Sequence, residues 1–156
     1  MKNTLTTLAL FLFGIGYASG ELVSDSIEIG FRQSHIEIDR DFERNGEKID
    51  SIFAKLHQDS SIHHSRTLRR VEVIGAASPE GSDKFNKYLS EKRAKAILSL
   101  FPEYNTDADS ILTMKYLGRD WSGLKSSVEF DSEVPDRDEV LTLLGEITGS
   151  AGTIDN

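Results

Sequence analysis

The chain has 156 residues, 38% apolar and 28% charged, with a net charge of −8, which suits one domain with one modest core. Nucleic acid is excluded as the main partner, because phosphate binding needs a basic face and no Lys/Arg cluster longer than Arg69-Arg70 occurs. No cysteine is present, which excludes a disulfide framework, a thiolate metal site and a lipid-bearing N-terminal Cys.

Met1-Lys2 supplies a short positive region, and Leu5 to Tyr17 is apolar. Ala18-Ser19-Gly20 places small residues for cleavage before Glu21. Together these predict a secretory signal peptide over 1–20. The apolar run is shorter than the ~20 residues that a membrane-spanning helix needs. Losing Lys2 with the leader takes the charge from −8 to −9. An exported, acidic, Cys-free chain points to a bacterial periplasm.

Ser26 to Phe31 alternates, with Ile27, Ile29 and Phe31 on one side, and predicts a half-buried strand. His35 to Ile38 repeats the alternation through Ile36 and Ile38, as a second short strand or a continuation of the first. From Asp39 to His57 the period becomes helical, with Phe42, Ile49, Ile52, Phe53 and Leu56 on one stripe. Asp39 or Asp41 suits the helix N-terminus, and Gly46 weakens its middle. Gln58 to Arg66 is polar and reads as a loop.

Leu68 to Gly75 is the next predicted strand. Ser78-Pro79-Glu80-Gly81 then has Pro and Gly where a turn wants them, and Ser82 is a candidate N-cap for a helix over Asp83 to Phe101. Leu112, Met114 and Tyr116 mark a third strand ending at Gly118. Trp121 to Phe130 and Asp136 to Ile147 are helical in pattern, the second with Pro135 before it and acids in its first turn. The tail from Gly149 should fray. The order β-α-β-α-β followed by two helices predicts an α/β fold, helices packed on one face of a small mixed sheet. The expected domain spans 21–118 and the helical extension 119–148.

On a helical wheel, Phe85, Leu89, Ala96, Ile97 and Leu100 share a stripe. Arg93 falls on its edge, and Asn86 lies two turns earlier on the same line. Helical side chains lean towards the N-terminus, so both point back at the loop Gly75 to Gly81. Two readings of Arg93 stand. It snorkels or satisfies loop carbonyls, or its fork of N–H donors takes a carboxylate.

Gly75, Gly81-Ser82, Asn86, Leu89-Ser90 and Arg93-Ala94 together resemble the core motif of the OmpA C-terminal, MotB and peptidoglycan-associated lipoprotein family. Phe31, Ile36, Ile38, Phe42 and Asn45 are similar to its first strand and helix, and Leu117-Gly118 to the end of its third strand. The likeness covers about Ile27 to Gly118. It implies non-covalent binding to peptidoglycan, in which a loop Asp and a helix Arg fifteen residues apart grip the diaminopimelate of the stem peptide. By that spacing the Arg is Arg93, and Ser78 stands where the family has Asp. The implied ligand-binding set is Arg93, Asn86, Ser78, Glu80 and Ala77: Arg93 on a stem-peptide carboxylate, Asn86 ordering the loop, Ser78 and Glu80 facing the ligand, and the loop backbone supplying donors. The family usually closes with another strand carrying an Arg-containing motif; here Asp120-Trp121…Leu124 and Asp136 to Leu144 follow instead, so either this variant ends differently or the sequence is a piece of a longer protein.

Other chemistry is thinly represented. His35, His57, His63 and His64 form no i,i+4 pair, so no metal is expected. No carboxylate pair sits in an apolar setting, no Gly-x-Ser-x-Gly occurs, and Gly75…Gly81 lacks a phosphate cradle's inner glycines and Lys. Trp121 reads as a core anchor under the third strand, or as a sugar-stacking ring. The expectation is a periplasmic, outer-membrane-associated domain, not an enzyme and without cofactor, that binds peptidoglycan. The alternative is an assembly module for an envelope or surface structure that has lost diaminopimelate binding.

Overall fold

The computed structural model describes residues 7–17, 22–61, 66–102 and 112–151. The chain runs β1 (Thr7–Tyr17), β2 (Leu22–Phe31), a 3-10 turn (Phe42–Arg44), α1 (Asn45–Ser61), β3 (Arg66–Ala77), α2 (Asp83–Leu98), β4 (Leu112–Arg119), α3 (Trp121–Phe130) and α4 (Arg137–Ala151). The sheet is four-stranded in the order β2-β1-β3-β4. β1 is antiparallel to both its neighbours, while β3 and β4 are parallel. This is the mixed α/β fold that the alternation of periods predicts.

One face of the sheet carries the core. Ile29 and Phe31 on β2 and Val71 and Val73 on β3 meet Ile49 and Ile52 of α1 and Ala94 and Ile97 of α2, with Phe101 just beyond. Each such side chain contributes roughly 1.5–3 kcal/mol by leaving water. Helix α1 lies over β2, and α2 lies over β3 and β4. Helices α3 and α4 pack chiefly on each other.

Two features of the sheet differ from the sequence expectations. First, the sheet has an interior strand that the sequence did not lead us to expect, within the stretch that also has the make-up of an export signal: β1 pairs from Thr7↔Phe31 to Gly16↔Leu22, and from Ala9↔Gly75 to Tyr17↔Arg66. The charged start at Met1-Lys2 and the cleavage junction at 18–21 lie outside the described residues. Second, His35 to Ile38 is not a strand. The chain turns after β2, with His35 N–H donating to Arg32 O at 3.0 Å and Ser34 at φ 61°. That turn takes 35–38 off the sheet, and Ile38 packs on the core from a loop instead.

The helix expected from Asp39 begins only at Asn45, because Glu43 and Arg44 adopt positive φ. Asn45 is fully buried. Its amide accepts from Gly30 N–H at 2.9 Å and donates to Gly30 O at 2.9 Å and Asp39 O at 2.8 Å. Gly46 therefore sits in the first turn of α1, not its middle. Part of the loop after α1, with His63-His64, and the tail from 152 lie outside the described residues.

The small residues of the sequence motif are explained by one close approach. A Cβ on Gly75 would stand 1.9 Å from Ser90 O and 3.0 Å from the Ala94 Cβ. The backbones of α2 and β3 meet there, and only Gly on the strand permits it. Ser90 also joins α2 to β4, its hydroxyl accepting from Gly118 N–H at 3.2 Å and donating to Lys87 O at 2.9 Å. Ser82 caps α2 as expected, its hydroxyl accepting from Phe85 N–H at 3.2 Å.

Glu72 is buried on the face opposite the core, paired with Lys115 Nζ at 2.9 Å and with Arg70. Its hydrogen bond to Lys115, with help from Arg70, holds its carboxyl below the ordinary 4.5 against the opposing effect of burial.

Two predictions follow from these contacts. Gly75→Ala should destabilise the domain by about 1–3 kcal/mol or more, read as a lower urea midpoint, because the added methyl meets helix backbone that cannot swing aside. A depressed folded-state pKa contributes stability above the unfolded value and loses it as pH falls. The wild-type urea midpoint should therefore drop below about pH 4.5, and Glu72→Gln should drop less steeply. Parallel acid limbs would remove Glu72 from the account.

Candidate functional site

Strand β3 ends at Ala77 and α2 starts at Asp83, so the segment between them is a short bridge over the C-terminal end of the sheet. Gly81 at φ 83° lets it turn into the helix. Asn86 is buried and donates to Glu80 O at 2.7 Å, which fixes the bridge from below. Glu80 is exposed, and its carboxylate accepts from Gln33 Nε2 at 3.0 Å, joining the bridge to the turn after β2. Ser78 is half-buried. Ala77 is fully buried and its carbonyl accepts from Asp120 N–H at 2.8 Å. Ala77 is thus committed to packing and to the start of α3, and does not face an outer ligand.

Among the described residues, Arg93 is the largest fully buried side chain. Its Nε donates to His35 O at 2.9 Å, Nη1 to Ala76 O at 3.2 Å and Nη2 to Arg32 O at 3.2 Å. Its guanidinium carbon stands 5.1 Å from the centre of the Phe31 ring, a cation–π distance. Burial lowers its pKa to about 10, so it remains a cation at neutral pH. Of the two readings of Arg93, carbonyl satisfaction describes this geometry. The carbonyls it serves are not only those of its own loop, because two belong to the turn after β2.

The five sequence-predicted residues therefore gather at one end of the sheet but not around one open cavity. Arg93 and Ala77 are enclosed, Asn86 is structural, and Glu80 and Ser78 remain towards the outside. The turn 32–35 covers Arg93, held by the guanidinium itself and by the Gln33–Glu80 hydrogen bond.

An open groove of about 430 Å3 lies on the other side of α2, lined by Asp83, Lys87, Tyr116, Leu117, Gly118, Arg119 and Trp121. Arg119 donates to Gly81 O at 2.6 Å, and its Nε stands 2.9 Å from Asp83 Oδ1. That second contact is an ion pair off the line of a hydrogen bond, since the buried Nε has no hydrogen-bond partner. Trp121 is half-buried at the first turn of α3, where Asp120 caps the helix by accepting from Gly123 N–H at 2.7 Å. Sequence reasoning singled out Trp121 and missed Lys87 and Arg119, which carry no pattern until β4 and α2 are adjacent. Among the described residues, no group of three His, Asp or Glu side chains could hold a metal ion. No helix among them is long and apolar enough to cross a membrane.

Comparison of the chain with protein families, curated proteins and solved structures gives no match.

Replacing Arg93 by Met should destabilise the domain by about 2–4 kcal/mol, because carbonyls buried with it lose their donors. Arg93→Lys should recover less than half of that, since one ammonium cannot span three carbonyls on two segments. Chemical denaturation checks both. A Lys variant as stable as wild type would contradict the three-point role.

Proposed function

We propose that this chain is an exported, non-catalytic envelope domain of OmpA-like kind that works as an interaction module in building an outer-membrane or surface structure. The carrying observation is Arg93. It is the side chain on which wall binding would turn, and three of its five N–H donors are held by main-chain carbonyls beneath the turn 32–35. Ser78 adds no negative charge to pair with a ligand ammonium. Apolar surface in the C-terminal half supports a protein partner: Phe130 is 91% exposed, Leu143 53% and Leu117 53%.

A second reading, retention of peptidoglycan binding, is favoured by the guanidinium's unused capacity. Arg has five N–H donors and three are engaged here, leaving one on each terminal nitrogen. N–H donors of a guanidinium are the kind that a stem-peptide carboxylate accepts. Burial alone shifts the Arg93 pKa, with no neighbouring carboxylate contributing.

The two readings separate in a pulldown with purified sacculi. The interaction module should be retained no better than a non-binding control protein of similar charge. Retention that is saturable, and competed by soluble stem peptide containing diaminopimelate, would sink the module reading in favour of the wall.

A further inference from the structure

We propose that the outer face of α2 around Phe85 and Tyr88 is a docking surface for a second copy of this chain, which seats its Phe130 there head to tail. The inference rests on the interaction-module reading above, whose partner it names. Both halves of the pairing lie between Asp83 and Glu139.

Helix α2 buries Leu89, Arg93, Ala94 and Ile97 and leaves Lys84, Phe85, Tyr88 and Lys92 exposed. Lys84, Tyr88 and Lys92 follow at i,i+4 spacing, so they form one line, with Phe85 beside it. Phe85 is 43% exposed and Tyr88 47%. Their rings stack with centres 6.5 Å apart and planes 19° from parallel. Lys92 Nζ stands 5.6 Å from the centre of the Tyr88 ring. Among the described residues, no carboxylate forms an ion pair with Lys84, Lys87 or Lys92, and Glu91 on the same helix is bound by Lys95. The face is therefore aromatic at its centre and cationic around it, in a chain of net charge −8.

The opposite pattern stands at the far end of α3. Phe130 is the last residue of that helix and is 91% exposed. From Glu129 to Glu139 six carboxylates, at 129, 131, 133, 136, 138 and 139, accompany one cation, Arg137. Arg137 serves the helix end: its Nε donates to Val128 O at 3.0 Å and its Nη2 to Glu129 O at 2.5 Å. Asp131 N–H adds a bond to Ser127 O at 3.1 Å. These bonds hold the Phe130 backbone before any partner arrives, which lowers the ordering cost of docking. Among the described residues, Asp131, Glu133, Asp136 and Glu139 form no ion pair.

The two surfaces complement each other in charge and in their apolar centres. A Phe ring set on Phe85 and Tyr88 extends their stack, while the acids around it meet Lys84 and Lys92. Within one molecule they do not meet, since Phe130 is almost wholly exposed and α3 and α4 pack chiefly on each other. A second copy is thus a partner for which both requirements, the acids and a projecting ring, are present in this structure. Face and knob are different surfaces, so the contact is heterologous. Each copy takes one neighbour and is taken by another, which closes into a ring or runs on as a filament. Either product suits a module that builds a larger structure.

Sedimentation velocity on the purified chain tests the docking. At about 0.1 M salt the average mass should rise with protein concentration, and at about 1 M salt it should fall towards that of the monomer, because screening shortens the reach of the charges. Phe130→Ser, and separately the double variant Lys84→Glu/Lys92→Glu, should each weaken association at least about tenfold. Circular dichroism should be unchanged in both, since all three positions are exposed. Mixed together, the two variants should form a one-to-one pair that grows no further, because one keeps the face and the other keeps the knob. If either variant loses its fold, Tyr88→Ser on the face or Glu133→Lys/Glu139→Lys on the knob takes its place with the same expectations. A wild-type chain that stays monomeric at low salt, variants that associate as the wild type does, or a mixture that stays monomeric would each overturn the docking. That failure, with no retention on purified sacculi, overturns this inference alone. Saturable retention that stem peptide competes away overturns the module reading on which it rests.

Discussion

The arrangement depends on one buried cation. The Arg93 guanidinium binds three main-chain carbonyls from two separate parts of the chain, and so joins α2, the end of β3 and the turn after β2. A guanidinium is suited to this because its charge is delocalised and its donors are fixed in a plane. The phenyl face of Phe31 lies beside it, which lowers the cost of removing it from water. Removing any of the three carbonyls from its reach would leave a strong donor buried without a partner. The end of β2, the loop before α2 and the helix itself are therefore coupled through a single side chain.

That coupling requires α2 to lie unusually close to the sheet. Gly75 lets Ser90 O approach the strand backbone, Ala94 is small enough to follow, and Ser90 reaches across to Gly118. The spacing of Gly75, Ser90 and Ala94 is a packing requirement before it is a functional one. Asn86 extends the same logic to the loop, since its amide replaces a missing main-chain donor at Glu80 O. Much of what resembles a ligand-binding motif is therefore also what a helix seated backbone-to-backbone on a strand needs.

Local patterns made several elements legible. Helix α2 showed its period, its cap at Ser82 and the edge position of Arg93, and α3 was readable from Trp121 to Phe130. What failed to read had a physical reason in each case. A continuous apolar run is equally the signature of an export signal and of an interior strand, so Thr7–Tyr17 carried no local sign of pairing. The alternation at Ile36 and Ile38 was real, but Ser34 at positive φ and the pull of Arg93 on His35 O took that segment away from the sheet. The wheel placed Arg93 but could not show which carbonyls would reach it, because two of them lie some sixty residues earlier. Lys87 and Arg119 became a pair of cations in one groove only through tertiary placement.

Asn45 has a consequence for how this protein can associate. Its side-chain amide engages both the N–H and the C=O of Gly30, as a neighbouring strand would. Gly30 turns these groups away from its register partner Leu8, towards the free margin of the sheet. A carboxamide on α1 thus terminates the ladder at that end of β2. An approaching strand would have to displace a buried, doubly bonded side chain before it could add there. The sheet is in this sense polarised, with one margin guarded by a side chain, a safeguard against indiscriminate stacking.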